Sequence, residues 1–227
     1  MIKNISNLGD AALYCDFGDE VNKDINSQVI KYFRSLKGRN IEGIINLTPS
    51  YNKLIISFDL NKINFKGIKK LIENENMNEI DENFVKKIEI PICCEDTFAL
   101  DIKRLESKLS LKKEKIYESF FEKEYFCYMT GFIAGMPFLG DLEKNLRLNR
   151  LDTPRVKIPK GSIGLTEQFA NIYTYESPGG WNIIGNTPLK IFDSSKEKNP
   201  NLINPGDTVK FKKISLEEYG NFNEQLF

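Results

Sequence analysis

The feature that most limits the fold is a change in the sequence near Tyr125. From there on, glycine or proline recurs every several residues between short runs rich in β-branched and aromatic residues. The clearest runs are residues 162–165, 169–175, 181–184 and 208–211. Short strands separated by turn residues are typical of β-barrels and β-sandwiches. We therefore predict a mainly β domain in the second half of the chain.

The first third of the chain combines strand and helix patterns. Apolar runs predict strands at residues 11–17, 41–47 and 53–58. Apolar residues at helical spacing predict helices near residues 21–38 and 65–72. The order strand, strand, helix, strand, strand, helix, which counts one strand more than the three located, indicates a small α+β domain.

A polar segment separates these two parts. Residues 73–83 contain two apolar residues in eleven, which is too few to form part of a core. We therefore predict a small α+β domain at residues 1–83 and a second domain at residues 84–227. The second domain should begin with a strand and two helices at residues 85–93, 99–108 and 112–121, with Ser110 as the N-cap of the second helix.

The composition excludes several kinds of chemistry. No histidine occurs among the 227 residues, so no imidazole can act as a general base, complete a catalytic triad or bind zinc. Basic and acidic residues balance at 32 each, so we expect no general attraction to nucleic acid or to an anionic membrane. No run reaches the roughly 18 to 20 apolar residues that span a bilayer. The four cysteines lack CxxC spacing, and we expect buried thiols in a cytoplasmic protein without a metal site.

Three stretches of the second domain could carry a binding site. Residues 131–140 combine apolar side chains with three glycines, which suits either a tightly turned core strand or a backbone that a ligand approaches closely. Residues 177–188 place two glycines before the only tryptophan, where backbone amides could bind an oxyanion or the turn could be purely structural. The third stretch is a basic run, Arg147, Arg150, Arg155, Lys157 and Lys160. It could bind a carboxylate or phosphate, or form a solvated face with the interleaved acidic residues.

Four motifs occur here in a fixed order. They are GFIAGMPFLG at residues 131–140, TPRVKIPKGSIG at 153–164, IYTYESPGGWNIIGNTP at 172–188 and IFD at 191–193. In order and spacing they resemble the family that contains the B subunit of bacterial 5-oxoprolinase (PxpB), the histidine-kinase inhibitor KipI and allophanate hydrolase subunit 1. The resemblance continues more thinly over nearly the whole chain.

The resemblance implies a fold and a function. The fold is an α+β N-terminal domain followed by a mainly β, cyclophilin-like barrel domain. The function is that of a PxpB-like part of an ATP-dependent 5-oxoprolinase, which opens the lactam of 5-oxoproline to give glutamate. The implied partners are a C-like subunit from the allophanate hydrolase subunit 2 family and a LamB/YcsF-like third component. No GxxxxGK[ST] loop is present, so ATP is expected to bind mainly on a partner.

Other members of the family leave alternatives open. A KipI-like protein would bind a sensor histidine kinase and inhibit it, and an allophanate hydrolase subunit 1-like protein would act on a different amide. A paralogue that serves only as a scaffold is a further possibility. A neighbouring kinase gene, or a pull-down that retrieves a kinase rather than the C-like subunit, would distinguish the KipI-like protein from the lactam hydrolase.

The resemblance also implies substrate-binding residues. Arg155 is expected to hold the substrate carboxylate, and the backbone of Gly179 and Gly180 is expected to line the pocket beside Trp181. The full set is Arg155, Tyr173, Ser177, Gly179, Gly180, Trp181, Phe132 and Phe138. No catalytic residue is identified.

Some positions depart from the family pattern. Phe120 occupies the place of a usual histidine. Ala134 and Met136 replace a proline and a phenylalanine, and residues 169–171, Phe-Ala-Asn, replace Gln-Thr-Gly. If either lost polar group normally contacts substrate, this chain supplies it differently or not at all.

Overall fold

The computed structural model describes residues 2–74 and 85–222. The chain divides into two compact units, Met1–Val85 and Lys86–Phe227. The predicted boundary after residue 83 lies outside the described residues, so its position stays a prediction.

The first unit is a four-stranded antiparallel sheet with two helices. Its elements are β1 (Asn4–Asn7), β2 (Ala12–Asp16), α1 (Lys23–Gly38), β3 (Ile44–Pro49), β4 (Lys53–Phe58) and α2 (Phe65–Glu73), and the sheet order is β1-β2-β4-β3. Alternate residues of β4, Leu54, Ile56 and Phe58, are buried, as period-2 alternation requires. Side chains of Asn22 and Asn64 cap the two helices. The three located strands and both helices are present, and β1 is a fourth strand to which the sequence analysis assigned no residues.

The second unit contains a closed seven-stranded barrel. Its elements are β5 (Lys87–Cys93), α3 (Ile102–Leu109), α4 (Lys113–Glu122), β6 (Glu124–Thr130), β7 (Pro137–Gly140), a 3-10 helix (Lys144–Leu146), β8 (Arg155–Ile158), β9 (Ser162–Thr166), β10 (Phe169–Ile172), β11 (Ser177–Gly179), β12 (Asn182–Asn186), β13 (Thr208–Ile214) and α5 (Leu216–Gly220). The barrel order is β10-β7-β6-β13-β5-β12-β9, and β8 and β11 form a separate two-stranded sheet. The predicted barrel is confirmed.

Side-chain alternation separates the barrel interior from its outer face. On β9, Ile163 and Leu165 join the main core cluster, as do Ala170 and Ile172 on β10. This cluster draws on all seven barrel strands and on α3 and α4, so it fills the interior. Residues between the core positions, such as Asn171, therefore face outward.

Several predicted boundaries are wrong by a few residues. Ser110 does not cap α4: it adopts the left-handed conformation with φ of 53° and ends α3, and Lys112 is the N-cap of α4. The left-handed turn ends one helix before the next can begin. The strand predicted at 169–175 stops at Ile172 because the following residues turn away, and the Thr174 hydroxyl donates to the Ala134 carbonyl.

Candidate functional site

A second apolar cluster lies outside the barrel. Met136, Ile158, Tyr173 and Ile183 pack together there and are at most 1% exposed. Ile158 belongs to β8, so the two-stranded sheet of β8 and β11 covers part of the outer barrel face. Most of the residues predicted to bind substrate surround this cluster. We call the cluster and these surrounding residues the outer site.

Trp181 is an anchor of the outer site. Its side chain is 5% exposed and meets Phe138 edge to face, with ring centroids 5.6 Å apart and planes at 79°. The guanidinium carbon of Arg150 lies 5.9 Å from the centre of the indole. A cation at this distance from an indole is attracted by the ring quadrupole.

The position of the Tyr173 side chain explains why residue 179, the first of the two glycines before Trp181, is a glycine. A Cβ on Gly179 would overlap the Tyr173 hydroxyl and approach Ile158 at 2.8 Å. Burial raises the pKa of the Tyr173 phenol, while the Asn171 side chain, the Trp181 backbone and the charges of Arg150 and Arg155 act in the opposite direction. Gly179 is therefore required for packing of the tyrosine, whether or not a ligand binds.

Gly180 differs from its neighbour. It is buried, and its carbonyl accepts a hydrogen bond of 2.7 Å from the Leu151 backbone N–H. A Cβ there would find its nearest neighbour, Pro154, at 3.6 Å, which is ordinary contact. The fold alone does not explain a glycine at residue 180.

Arg155, which is predicted to bind the substrate carboxylate, is already paired with the carboxylate of Asp101. Its two terminal nitrogens donate to the two oxygens of Asp101 at 2.9 and 2.6 Å. Asp101 is 5% exposed and also accepts a 2.7 Å hydrogen bond from the backbone N–H of Ile183. The pair links β8 to the start of α3 and to β12. Asp101 therefore occupies the edge of the Arg155 guanidinium that could bind another carboxylate in a bidentate manner.

The other predicted residues have different surroundings. The Ser177 hydroxyl is buried and has no hydrogen-bond partner among the described residues. Phe132 lies in the loop before β7, where it is 68% exposed and has φ of 70°. The structure therefore brings Phe138, Tyr173, Gly179 and Trp181 together, with Arg155 paired to Gly179 across β8 and β11, and it does not bury Phe132 with them.

Sequence reasoning missed a set of polar residues around the tryptophan. Asn182 is fully buried, and its amide donates to the carbonyls of Asn149 and Leu165, both at 3.0 Å. Its oxygen accepts a 2.9 Å hydrogen bond from Nε of Arg104. An asparagine within an apolar strand is the sequence signal that could have indicated such a network, whereas Asp101 carries no comparable local signal.

The positions that depart from the family pattern fall in different places. Phe120 is fully buried in the barrel core and stacks on Phe211 with ring centroids 4.8 Å apart. Phe169 meets the Tyr128 ring edge to face at 5.4 Å. Asn171 faces the outer site, and its side-chain oxygen accepts from the Gly164 backbone N–H at 3.1 Å. Asn171 thus supplies a polar group beside Tyr173.

Two features are absent from the described residues. No helix among residues 2–74 and 85–222 is long and apolar enough to cross a membrane. In the same part of the chain, no cluster of three or more Cys, Asp or Glu side chains is arranged to hold a metal ion. All four cysteines are buried, and burial raises the pKa of the Cys15 and Cys94 thiols to about 12.

A closed barrel with a packed interior and a glycine-rich outer site places the second unit in the class of cyclophilin-like barrel domains. The family model described as "Carboxyltransferase domain, subdomain C and D" matches residues 3–203. The chain belongs to this carboxyltransferase-domain family, which confirms the resemblance seen in the motifs.

Named relatives agree with this assignment. The chain is 32% identical to the B subunit of 5-oxoprolinase from Bacillus subtilis over 234 residues, covering 97% of each chain. It is 30% identical to the B subunit of 5-oxoprolinase from Haemophilus influenzae, covering 92% of this chain and 96% of the relative.

Solved structures show the same fold. The protein TTHA0988 is 26% identical with a TM-score of 0.81, and the match covers 90% of this chain and 40% of that one. Urea amidolyase of K. lactis has a TM-score of 0.73 at 20% identity, and the match covers 97% of this chain and 15% of that one. This chain therefore matches less than half of either solved protein, and the second likeness concerns the fold alone.

Proposed function

We propose that the chain is a subunit of an ATP-dependent hydrolase of lactams or related amides, with 5-oxoproline as substrate and glutamate as product. The observation that carries this proposal is the full-length similarity to the B subunit of B. subtilis 5-oxoprolinase, at 32% identity over 97% of both chains. Similarity to urea amidolyase of Saccharomyces cerevisiae, 23% identical over 95% of this chain, supports the broader amide class.

The chemistry of the substrate suits the outer site. A lactam is stabilised by resonance, so its carbonyl oxygen must be phosphorylated by ATP before water adds to the carbonyl carbon and the C–N bond breaks. At neutral pH 5-oxoproline also carries a carboxylate. Arg150 places positive charge close to Tyr173 and Trp181, and an arginine is well suited to a carboxylate.

We propose that the remaining machinery is on partner proteins. These are a C-like subunit from the allophanate hydrolase subunit 2 family and a LamB/YcsF-like third component. ATP binds mainly on a partner, since the sequence contains no GxxxxGK[ST] loop.

The test is reconstitution. The chain is co-expressed with its C-like and LamB/YcsF-like neighbours, and ATP-dependent glutamate release from 5-oxoproline is measured with each component omitted in turn. We expect release only when all three are present. No release from the complete set, together with retention of a sensor histidine kinase in a pull-down, would contradict the proposal and favour a KipI-like inhibitor.

A further inference from the structure

Arg150 is the least explained charged residue of the outer site. It is exposed, and among residues 2–74 and 85–222 no carboxylate or other acceptor pairs with its guanidinium. Within these residues its side chain contacts the indole of Trp181, with the guanidinium carbon 5.9 Å from the ring centre. All five guanidinium N–H donors are thus available to a ligand.

The backbone around Arg150 is nevertheless held at three consecutive residues. The Asn149 carbonyl accepts from Asn182 at 3.0 Å, and the Leu151 N–H donates to the Gly180 carbonyl at 2.7 Å. Between them, the Arg150 carbonyl lies 3.5 Å from a terminal nitrogen of Arg104. An exposed arginine on a solvated face does not require such anchoring. These contacts fix the backbone from which the Arg150 side chain extends. Less conformational entropy is therefore lost when the side chain binds a ligand.

The surroundings carry an excess of positive charge. Arg104 interacts with Asn182 and with a carbonyl, and no ion pair to it occurs in the part of the chain that the structure describes. Arg155 is neutralised by Asp101. The acidic residue nearest to Arg150 in sequence, Asp152, forms no ion pair among the described residues. Among the described residues, Arg150 beside the indole and Arg104 at Asn182 therefore remain without an ion-pair partner.

Gly180 adjoins this site through its carbonyl, which anchors Leu151. It is buried, and a Cβ there would lie in ordinary contact with Pro154, at 3.6 Å, and with the Leu151 carbonyl, at 3.7 Å. Packing therefore tolerates a small side chain at residue 180 and does not itself require glycine.

From these contacts we infer that Arg150, supported by Arg104, forms an oxyanion-binding site beside Trp181, and that this site rather than the fork of Arg155 receives the anionic group of the ligand. Arg155 is then a positioning residue, fixed by Asp101. The ligand group is a carboxylate of a small amide substrate or a phosphate of a nucleotide. Only the first source rests on the proposed function.

Trp181 provides a direct readout because it is the only tryptophan of the chain. Its fluorescence is recorded while the purified chain, without partners, is titrated with 5-oxoproline, with the neutral 5-oxoprolinamide and with inorganic phosphate at constant ionic strength. Calorimetry checks each affinity. We expect saturable binding of 5-oxoproline or of phosphate, and none of the neutral amide. Binding of 5-oxoproline identifies a substrate carboxylate, and binding of phosphate alone identifies a nucleotide phosphate.

Two charge-removing variants complete the test. Arg150→Gln should weaken binding by roughly tenfold to a hundredfold, since it removes charge-assisted hydrogen bonds to the oxyanion. Lys157→Gln removes the same charge from β8, where the ammonium pairs with Glu176 at 2.9 Å, and should leave the affinity within about twofold. Circular dichroism melting confirms that both variants are folded.

Three results would overturn the inference. They are no saturable response to either anion, equal affinity of the wild type and Arg150→Gln for the anion that binds, and saturable binding of the neutral amide with the same affinity as 5-oxoproline. These outcomes are separate from a failure of the proposed function. Anion binding without glutamate release by the complete complex would contradict only the proposed function. Glutamate release that survives Arg150→Gln unchanged would contradict only the inferred oxyanion site.

Discussion

The pairing of Asp101 with Arg155 leads to a quantitative prediction. Asp101 accepts three hydrogen bonds, two from Arg155 and one from the Ile183 backbone N–H. Its side chain lies at the N-cap of α3 without making a capping hydrogen bond, so its removal should act through these three bonds. We expect Asp101→Ala to destabilise the chain through the donors that it leaves unpaired.

The size of the effect follows from burial. The unpaired N–H of Ile183 costs about 1–3 kcal/mol. The Arg155 side chain is 29% exposed and Asp101 is 5% exposed, so water can solvate part of the freed guanidinium. The total for Asp101→Ala is therefore about 2–4 kcal/mol, below the upper range for a fully buried pair. Arg155→Ala leaves a buried carboxylate with only the Ile183 N–H and should cost about the same.

A double-mutant cycle measures the coupling. Urea unfolding is followed by circular dichroism for Asp101→Ala, Arg155→Ala and the double variant. We expect the double variant to lose no more than the larger single loss, since removing both charges leaves neither uncompensated. The exposed Lys157 and Glu176 pair serves as the control cycle, with a coupling of about 0.5 kcal/mol or less. Additive losses for Asp101 and Arg155 would refute the pairing and would leave Arg155 free for a ligand.

Three further predictions follow from packing and burial. Gly179→Ala should lower the free energy of unfolding by about 1–3 kcal/mol through overpacking, whereas Gly180→Ala should change it by no more than about 0.5 kcal/mol. Equal losses for the two variants in urea unfolding would contradict this prediction. Phe120→His should cost about 2–4 kcal/mol without raising glutamate release by the complex, because it places an imidazole in the barrel core. The thiols should resist Ellman's reagent until the chain is unfolded. Burial raises the pKa of Cys15 and Cys94 from about 9 to about 12, so these two thiols ionise first in the unfolded chain. Their contribution to the free energy of unfolding should be constant below pH 9 and should be lost progressively from there to pH 12.

The arrangement suggests how the outer site and the barrel divide their roles. The barrel interior is filled by apolar side chains, and it offers a rigid base for residues on its outer surface. The segment that carries Arg150 is attached to this base through Asn182, a fully buried residue of β12. A substitution at Asn182 should therefore weaken anion binding indirectly, through the position of Arg150, and Asn182→Ala, which adds no charge beside Arg104, tests this with the same fluorescence titration.

Much of the fold was determined by local features of the sequence. Glycine and proline mark the ends of the short strands, and the apolar residues of β4 alternate with a period of two, as the sequence indicates. These patterns depend on neighbouring residues, which is why they predicted a mainly β second domain and most elements of the first unit, whereas the choice of a barrel over a sandwich came from the family resemblance. They were less accurate at boundaries such as Ser110, where a single left-handed residue ends a helix.

The motifs also indicated the region of the site. Phe138, Tyr173, Gly179 and Trp181 come from separate stretches of the chain, and the structure places them around one cluster. The motifs could not show which glycine is needed for packing, because that depends on the position of the Tyr173 hydroxyl.

Only the tertiary structure decided the partners of the charged residues. Asp101 and Arg155 are 54 positions apart, and Arg104 reaches Asn182 across 78 positions. A charge pattern in the sequence shows how many arginines lie near the motifs, but the distance between side chains depends on how the strands and helices pack. For that reason the sequence predicted a cationic site beside Trp181, and the fold determined that Asp101 neutralises Arg155 while Arg150 keeps its charge.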